Sequence, residues 1–164
     1  MLGMRRLAGL LGPTAAAFWL AAATPDPLWI GAERVLLRCH LERAGLPRGL
    51  DPAALEEGLC RGLRDAVARW LGNRLAVRVA EAGDAALVAD GSVVLLLHAR
   101  AVPASAIVPD AEGTLVALGL QTARGEAGGP PPSWFAAAPT AARLEEGAVP
   151  PSVLEGLAAD LLGR

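Results

Sequence analysis

The chain has 164 residues, a formal net charge of −2 at pH 7 and 53% hydrophobic residues. That length is enough for one ordinary domain with a single buried core. All 15 basic residues are arginine, and the acidic residues outnumber them. This balance gives no support to nucleic acid or an anionic lipid surface as a partner.

The first 23 residues have the layout of an export signal. Arg5 and Arg6 form a short basic start, and the run from Leu7 to Ala22 is almost entirely apolar. Small residues that a signal peptidase needs stand at 21–23. We therefore expect cleavage near Ala23 and a secreted protein of the bacterial periplasm. An uncleaved inner-membrane anchor is the alternative, because the apolar run is close to the shortest length that crosses a bilayer.

The rest of the chain is predicted to form an N-terminal segment at 24–32 and one domain at 33–164. Within the domain, 33–42 alternates apolar and polar residues, as a half-buried strand requires. Asp51 and Pro52 then predict the start of a helix that runs to about residue 71. Asp51 is suited to the N-cap, and Pro52 to the first helical position, where no backbone donor is needed.

Three more strands are predicted after this helix, at Leu75 to Val79, Val93 to Ala101 and Thr114 to Ala123. The third is apolar on both faces where it begins, which indicates a central place in the sheet. Residues 125–133 hold three glycines and three prolines and are predicted to be a loop.

A second helix is predicted from Ser152, which forms a capping box with Glu155. The fold expected from these elements is α+β, in the order β-α-β-β-β-α. It has a four-stranded, mostly antiparallel sheet with two helices packed on one face.

The element order behind an export signal resembles the small α/β domains of the bacterial envelope, typified by the amino-terminal domain of TolB and related lipoproteins. Leu75 to Ala82 leads into Ala86 to Val93, whose Ala-Asp-Gly-Ser-Val run is similar to that of family members, and Thr114 to Glu126 resembles their next strand. The resemblance spans roughly Glu33 to Arg164. It implies a periplasmic domain that binds other envelope proteins and carries no catalytic residues.

Two cysteines in an exported chain favour a disulfide. Cys39 is predicted to point to the core side of the first strand, and Cys60 lies at the edge of the apolar stripe of the helix that should cover it. A bridge would contribute about 3 kcal/mol if unstrained. The alternative is two buried free thiols that pack as small apolar residues.

A second feature is a set of cations on the opposite side of the sheet. By strand parity, Arg38, His40, Arg78, His98 and Arg100 all project from the face that the helices do not cover. This face is a candidate for binding a protein partner or an anion, and the alternative is an ordinary solvated surface. Trp134, directly after the prolines, is a further candidate contact or an anchor for its own loop.

No complete catalytic or metal motif accompanies these residues. A metal site at His40 and His98 needs a third ligand, and only Glu42 has suitable parity. The serines lack a nucleophile-elbow setting. We therefore expect no catalytic residues, no metal and no cofactor, and a non-enzymatic envelope protein that binds a protein partner. The alternatives are a periplasmic binder of a small ligand or anion, and an undetected hydrolase.

Overall fold

The structure is a computed structural model, and it describes residues 29–124 and 134–163. The strands of this part of the chain are β1 (Arg34–Glu42), β2 (Ala76–Val79), β3 (Ser92–Pro103), β4 (Thr114–Arg124), β5 (Trp134–Ala136) and β6 (Thr140–Arg143). Its α-helices are α1 (Pro52–Trp70), between β1 and β2, and α2 (Pro151–Leu162), after β6.

The strands form one mixed sheet in the order β2-β1-β3-β4-β5, with β6 also paired to β4. Strand β1 is parallel to both β2 and β3, whereas β4 is antiparallel to β3, β5 and β6. The predicted α+β class with two helices is confirmed. In the described part of the chain the sheet has six strands where four were predicted. Three of its five strand pairings are antiparallel, as expected, but β1 is parallel to both of its neighbours.

The difference in direction arises in the connection between β2 and β3. This connection passes across β1, so that β3 joins the far side of β1 and runs parallel to it. A short 3-10 turn, Ala85–Val88, lies within the connection and packs Ala86 and Leu87 against Leu36, Val94 and Leu96. Burial of these side chains, a tertiary effect, decides the strand order.

The two strands missing from the sequence prediction are short. Strands β5 and β6 have three and four residues, and each pairs with a different part of β4. Half of β6 is alanine, which has little intrinsic strand preference, whereas β5 has two strand-favouring aromatics but is too short to show an alternating pattern. They are strands because their backbones pair with the long strand β4.

Helix α1 begins as predicted. The Asp51 carboxylate accepts hydrogen bonds from the backbone N–H groups of Ala53 (2.9 Å) and Ala54 (3.3 Å), and Pro52 takes the first helical position. The prediction of the helix and its N-cap is confirmed.

The predicted capping box of α2 is wrong. The helix begins one residue earlier, at Pro151, with Pro150 as an N-cap that makes no side-chain hydrogen bond. Glu155 instead accepts from Arg69 of α1 at 2.7 Å. A proline in the first helical position already suits the free end of the helix, and the neighbouring helix offers Glu155 a charged donor.

Both helices lie on one face of the sheet, as expected, and enclose the main core. Leu37 of β1, Leu95 of β3, Leu118 of β4, Leu63 of α1 and Leu161 of α2 are each 3% exposed or less and belong to the same cluster. We call the opposite side of the sheet the outer face. Among the described residues, a second, smaller apolar cluster lies on the outer face, at the end under the 3-10 turn.

A disulfide joins Cys39 of β1 to Cys60 of α1, whose Cα atoms are 5.9 Å apart. The predicted pairing is confirmed. It ties the strand to the helix that covers it, over a sequence separation of 21 residues.

Two predicted segments lie outside the described residues: the export signal at 1–23 with the chain up to residue 28, and the loop at 125–133. In the described part of the chain, no helix combines the length and the apolar character that a membrane span needs.

Candidate partner-binding face

Four of the predicted site residues lie together on the outer face. Arg38 and His40 belong to β1, and His98 and Arg100 belong to β3, the parallel strand beside it. All four side chains are exposed. We call this group the cationic face.

The two histidines are direct neighbours across the strands. His40 is in register with His98, and their rings stand edge to face with centroids 6.1 Å apart. Because the strands are parallel and in register, both imidazoles leave the sheet at the same level and on the same side.

An acidic residue on the same strand partly balances the arginines. The Glu42 carboxylate is in register with Arg100 and lies 3.6 Å from its Nε, with both side chains about half exposed. Arg38 is in register with the half-buried Leu96 and forms no salt bridge within the described residues. The guanidinium of Arg38 is therefore available to an incoming anionic group.

Shallow depressions lie on both sides of the histidine pair. One, of about 260 Å³, borders Arg38 and Leu96, and the other, of about 370 Å³, borders Glu42 and Arg100. The second has Ala117 and Gly119 of β4 among its lining residues, with Pro139 also along it. Small residues on β4 leave room beside the histidines, since a Cβ atom added at Gly119 would meet nothing within 4 Å.

Arg78 lies on the outer face but outside the cationic face. It is in register with Leu36, and its Nη1 donates to Oδ2 of Asp84 over 2.6 Å. This hydrogen bond raises the pKa of Arg78 and, together with the N–H of Ala86, lowers the pKa of Asp84. Arg78 therefore holds the 3-10 turn in place and is already paired.

Trp134 opens β5, where its backbone pairs with Ala123 of β4. That register places Trp134 on the edge strand of the sheet. It lies two residues along β5 from Ala136, which pairs with Gln121. Its side chain lies outside the described part of the structure.

The described residues contain no cluster of three or more His, Cys, Asp or Glu side chains that could hold a metal ion. The Ser92 side chain is fully buried, without a hydrogen-bond partner in the described structure, so it is not placed to act as a nucleophile. What the cationic face can do chemically is bind anionic groups.

Sequence reasoning identified the four cations by parity but missed the features around them. The acidic neighbour of Arg100 follows from the β1–β3 register, and the open space follows from Gly119 on β4. Glu42 has the right parity on β1, which was its only signal. The position of Gly119 could be found only once β4 was known to lie next to β3.

Comparison with protein-family models gives no match, and no curated protein matches the chain. The functional interpretation therefore depends on the geometry of the face and on the chemistry of its residues.

Proposed function

We propose that this is an exported, non-enzymatic protein of the bacterial cell envelope that binds a protein partner through the cationic face. The observation that carries the proposal is the uneven covering of the sheet. Two helices cover one face and the 3-10 turn covers one end of the other, while the exposed Arg38, His40, His98 and Arg100 remain open to solvent.

The shape of this region favours a protein segment as the occupant. The depressions on either side of the histidines are shallow and share both rings among their linings. Small-molecule sites are usually concave and largely apolar, whereas protein interfaces are flatter and are enriched in arginine. A partner could contact Arg38, the histidine pair and Arg100 in succession.

Export to the periplasm is proposed on two grounds. The Cys39–Cys60 disulfide suits an oxidising compartment, and disulfides are rare in cytosolic proteins of ordinary bacteria. The first 23 residues have the composition of a removable signal. The resemblance to the amino-terminal domain of TolB supports the same compartment and a role in binding envelope proteins.

Export is tested by expressing the full chain in a bacterial host and fractionating the cells. We expect the protein in the periplasmic fraction, with a mass that corresponds to an amino terminus at Thr24 and an oxidised cysteine pair. A full-length chain in the cytosol would contradict the proposed location, and a full-length chain in the inner membrane would favour the uncleaved anchor.

Partner binding is tested by site-specific photo-crosslinking in cells. A crosslinker in place of exposed Gln121, at the border of the cationic face, should give a discrete protein adduct, and one in place of exposed Ala53 on α1 should not. The further substitution Gly119→Leu should abolish the adduct, because the leucine side chain fills the depression. A Cβ atom added at this position meets nothing within 4 Å, so the variant is expected to fold.

The matched control is Gly58→Leu on the exposed side of α1, where the added Cβ also meets nothing. This change should leave the adduct intact. The proposal fails if adducts form equally from Gln121 and Ala53, or if Gly119→Leu has no effect on the adduct.

A further inference from the structure

The cationic face contains every histidine of the chain. The sequence has two, His40 and His98, and the sheet places their rings 6.1 Å apart. Histidine is the side chain that normally changes charge between pH 5 and 8. A fall in pH across that range therefore adds positive side-chain charge at this one spot.

The charged groups around the pair are few. Arg38 and Glu42 come from β1 and Arg100 from β3, whereas β4 contributes neutral Ala117 and Gly119. On the flanking strands, Arg78 of β2 is paired with Asp84. Arg143 of β6 pairs with Leu115 of β4, two residues beyond Ala117, and donates to the Glu112 carbonyl.

Protonation of both rings puts like charges close together, beside two guanidiniums and one carboxylate. An anionic ligand between the rings offsets this repulsion, and a ligand that favours the charged imidazoles takes up protons when it binds, by linkage.

This inference rests on the proposed function and names the partner's chemistry. We propose that the cationic face binds an acidic segment of its protein partner, and that binding takes up protons at His40 and His98. Arg38 and Arg100 supply attraction at every pH, and the histidines add to it under mild acid. The segment contributes carboxylates, which accept charge-assisted hydrogen bonds from arginine and imidazolium.

The test uses an acetylated, amidated peptide of six aspartates as the probe, with the oxidised protein at low salt. Aspartate stays ionised from pH 7.5 to 5.5, so the charge of the probe is nearly constant. Calorimetry should show binding about tenfold tighter at pH 5.5 than at pH 7.5, as expected for one or two added cation–carboxylate contacts in water. Buffers of different ionisation enthalpy should reveal proton uptake.

His40→Gln/His98→Gln should lose the pH dependence, so that its affinity for the probe is the same at pH 5.5 and pH 7.5. Arg38→Gln/Arg100→Gln should weaken binding at every pH by about tenfold. The matched control is Arg48→Gln/Arg74→Gln, which removes two exposed arginines outside the cationic face and should leave binding unchanged. All six positions are exposed, and circular dichroism of each variant checks that it is folded.

The outcomes separate this inference from the proposed function. Probe binding that is independent of pH, or that keeps its pH dependence without the histidines, overturns the proton linkage. No probe binding at any pH, or equal weakening by the control pair, overturns the acidic partner. A discrete adduct from Gln121 alone, lost with Gly119→Leu, would still support the proposed function in either case.

Discussion

Arg78 and Asp84 are joined by a hydrogen bond of 2.6 Å that ties β2 to the turn crossing the outer face. The same carboxylate accepts from the N–H of Ala86, a half-buried residue of the turn that packs against the sheet. One exposed pair thus anchors the connection that brings β3 alongside β1. Strand parity put Arg78 with the other cations, but its partner gives it a structural role.

The Arg78–Asp84 pair predicts how stability changes in acid. The hydrogen bond from Arg78 and then the N–H of Ala86 lower the pKa of Asp84 in the folded state. The carboxylate therefore stabilises the fold above its unfolded pKa of about 4, and this stabilisation is lost as the pH falls through the lower, folded value.

We expect Asp84→Asn to be less stable than the wild type at pH 6, and the difference to be smaller at pH 2. Urea denaturation at the two pH values measures it. Glu81→Gln, a change of an exposed carboxylate nearby, serves as the control. A stability difference that is the same at pH 6 and pH 2 would contradict this role of Asp84.

Two glycines of α1, one helical turn apart, should respond in opposite ways to alanine. A methyl group at Gly58 meets nothing within 4 Å, so Gly58→Ala should stabilise the protein by about 0.5–1 kcal/mol through helix propensity. A methyl group at Gly62 would lie 2.6 Å from Cδ1 of Leu154 on α2, and Leu154 is only 3% exposed.

Because Leu154 is packed in the core, Gly62→Ala should lose the propensity gain and destabilise the protein by about 1–2 kcal/mol through overpacking. Chemical denaturation of the two variants side by side measures the contrast. Equal stabilisation by both substitutions would show that the α1–α2 contact yields without cost.

Thr122 predicts a stabilising substitution in the core. Its side chain is fully buried on β4, and its hydroxyl has no hydrogen-bond partner in the described structure. Valine has the same shape without the unsatisfied group, so Thr122→Val should raise the free energy of unfolding by about 1–2 kcal/mol.

The control for this substitution is Thr114→Val, at the half-buried start of the same strand, which should change stability by less than about 0.5 kcal/mol. Thermal and urea unfolding measure both variants. Destabilisation by Thr122→Val would mean that the hydroxyl is hydrogen-bonded in solution.

The Cys39–Cys60 disulfide should contribute to stability chiefly by restricting the unfolded chain. For its sequence separation of 21 residues, reduction should lower the free energy of unfolding by about 3 kcal/mol. Urea denaturation with and without a reducing agent measures the effect. Cys39→Ala/Cys60→Ala should be insensitive to the reductant, and a wild type equally insensitive would contradict the prediction.

The sequence predicted those parts of the fold that depend on neighbours along the chain. Asp51 and Pro52 identified the start of α1 because capping is local, and alternation in β1 put Cys39 toward the helix and His40 toward solvent. The capping box at Ser152 failed because Arg69, distant in sequence, binds Glu155 instead.

Sequence alone determined both helices and four of the six described strands, with the parity of their faces and thus the candidate cations, since the periods of strand and helix are properties of the backbone. Only the tertiary structure decided that β3 lies beside β1, and with it that His40 faces His98 and that Gly119 leaves space next to them. The connection that brings β3 beside β1 packs half-buried Ala86 and Leu87 against the sheet. That packing energy comes from contacts between distant residues, which periodicity does not specify.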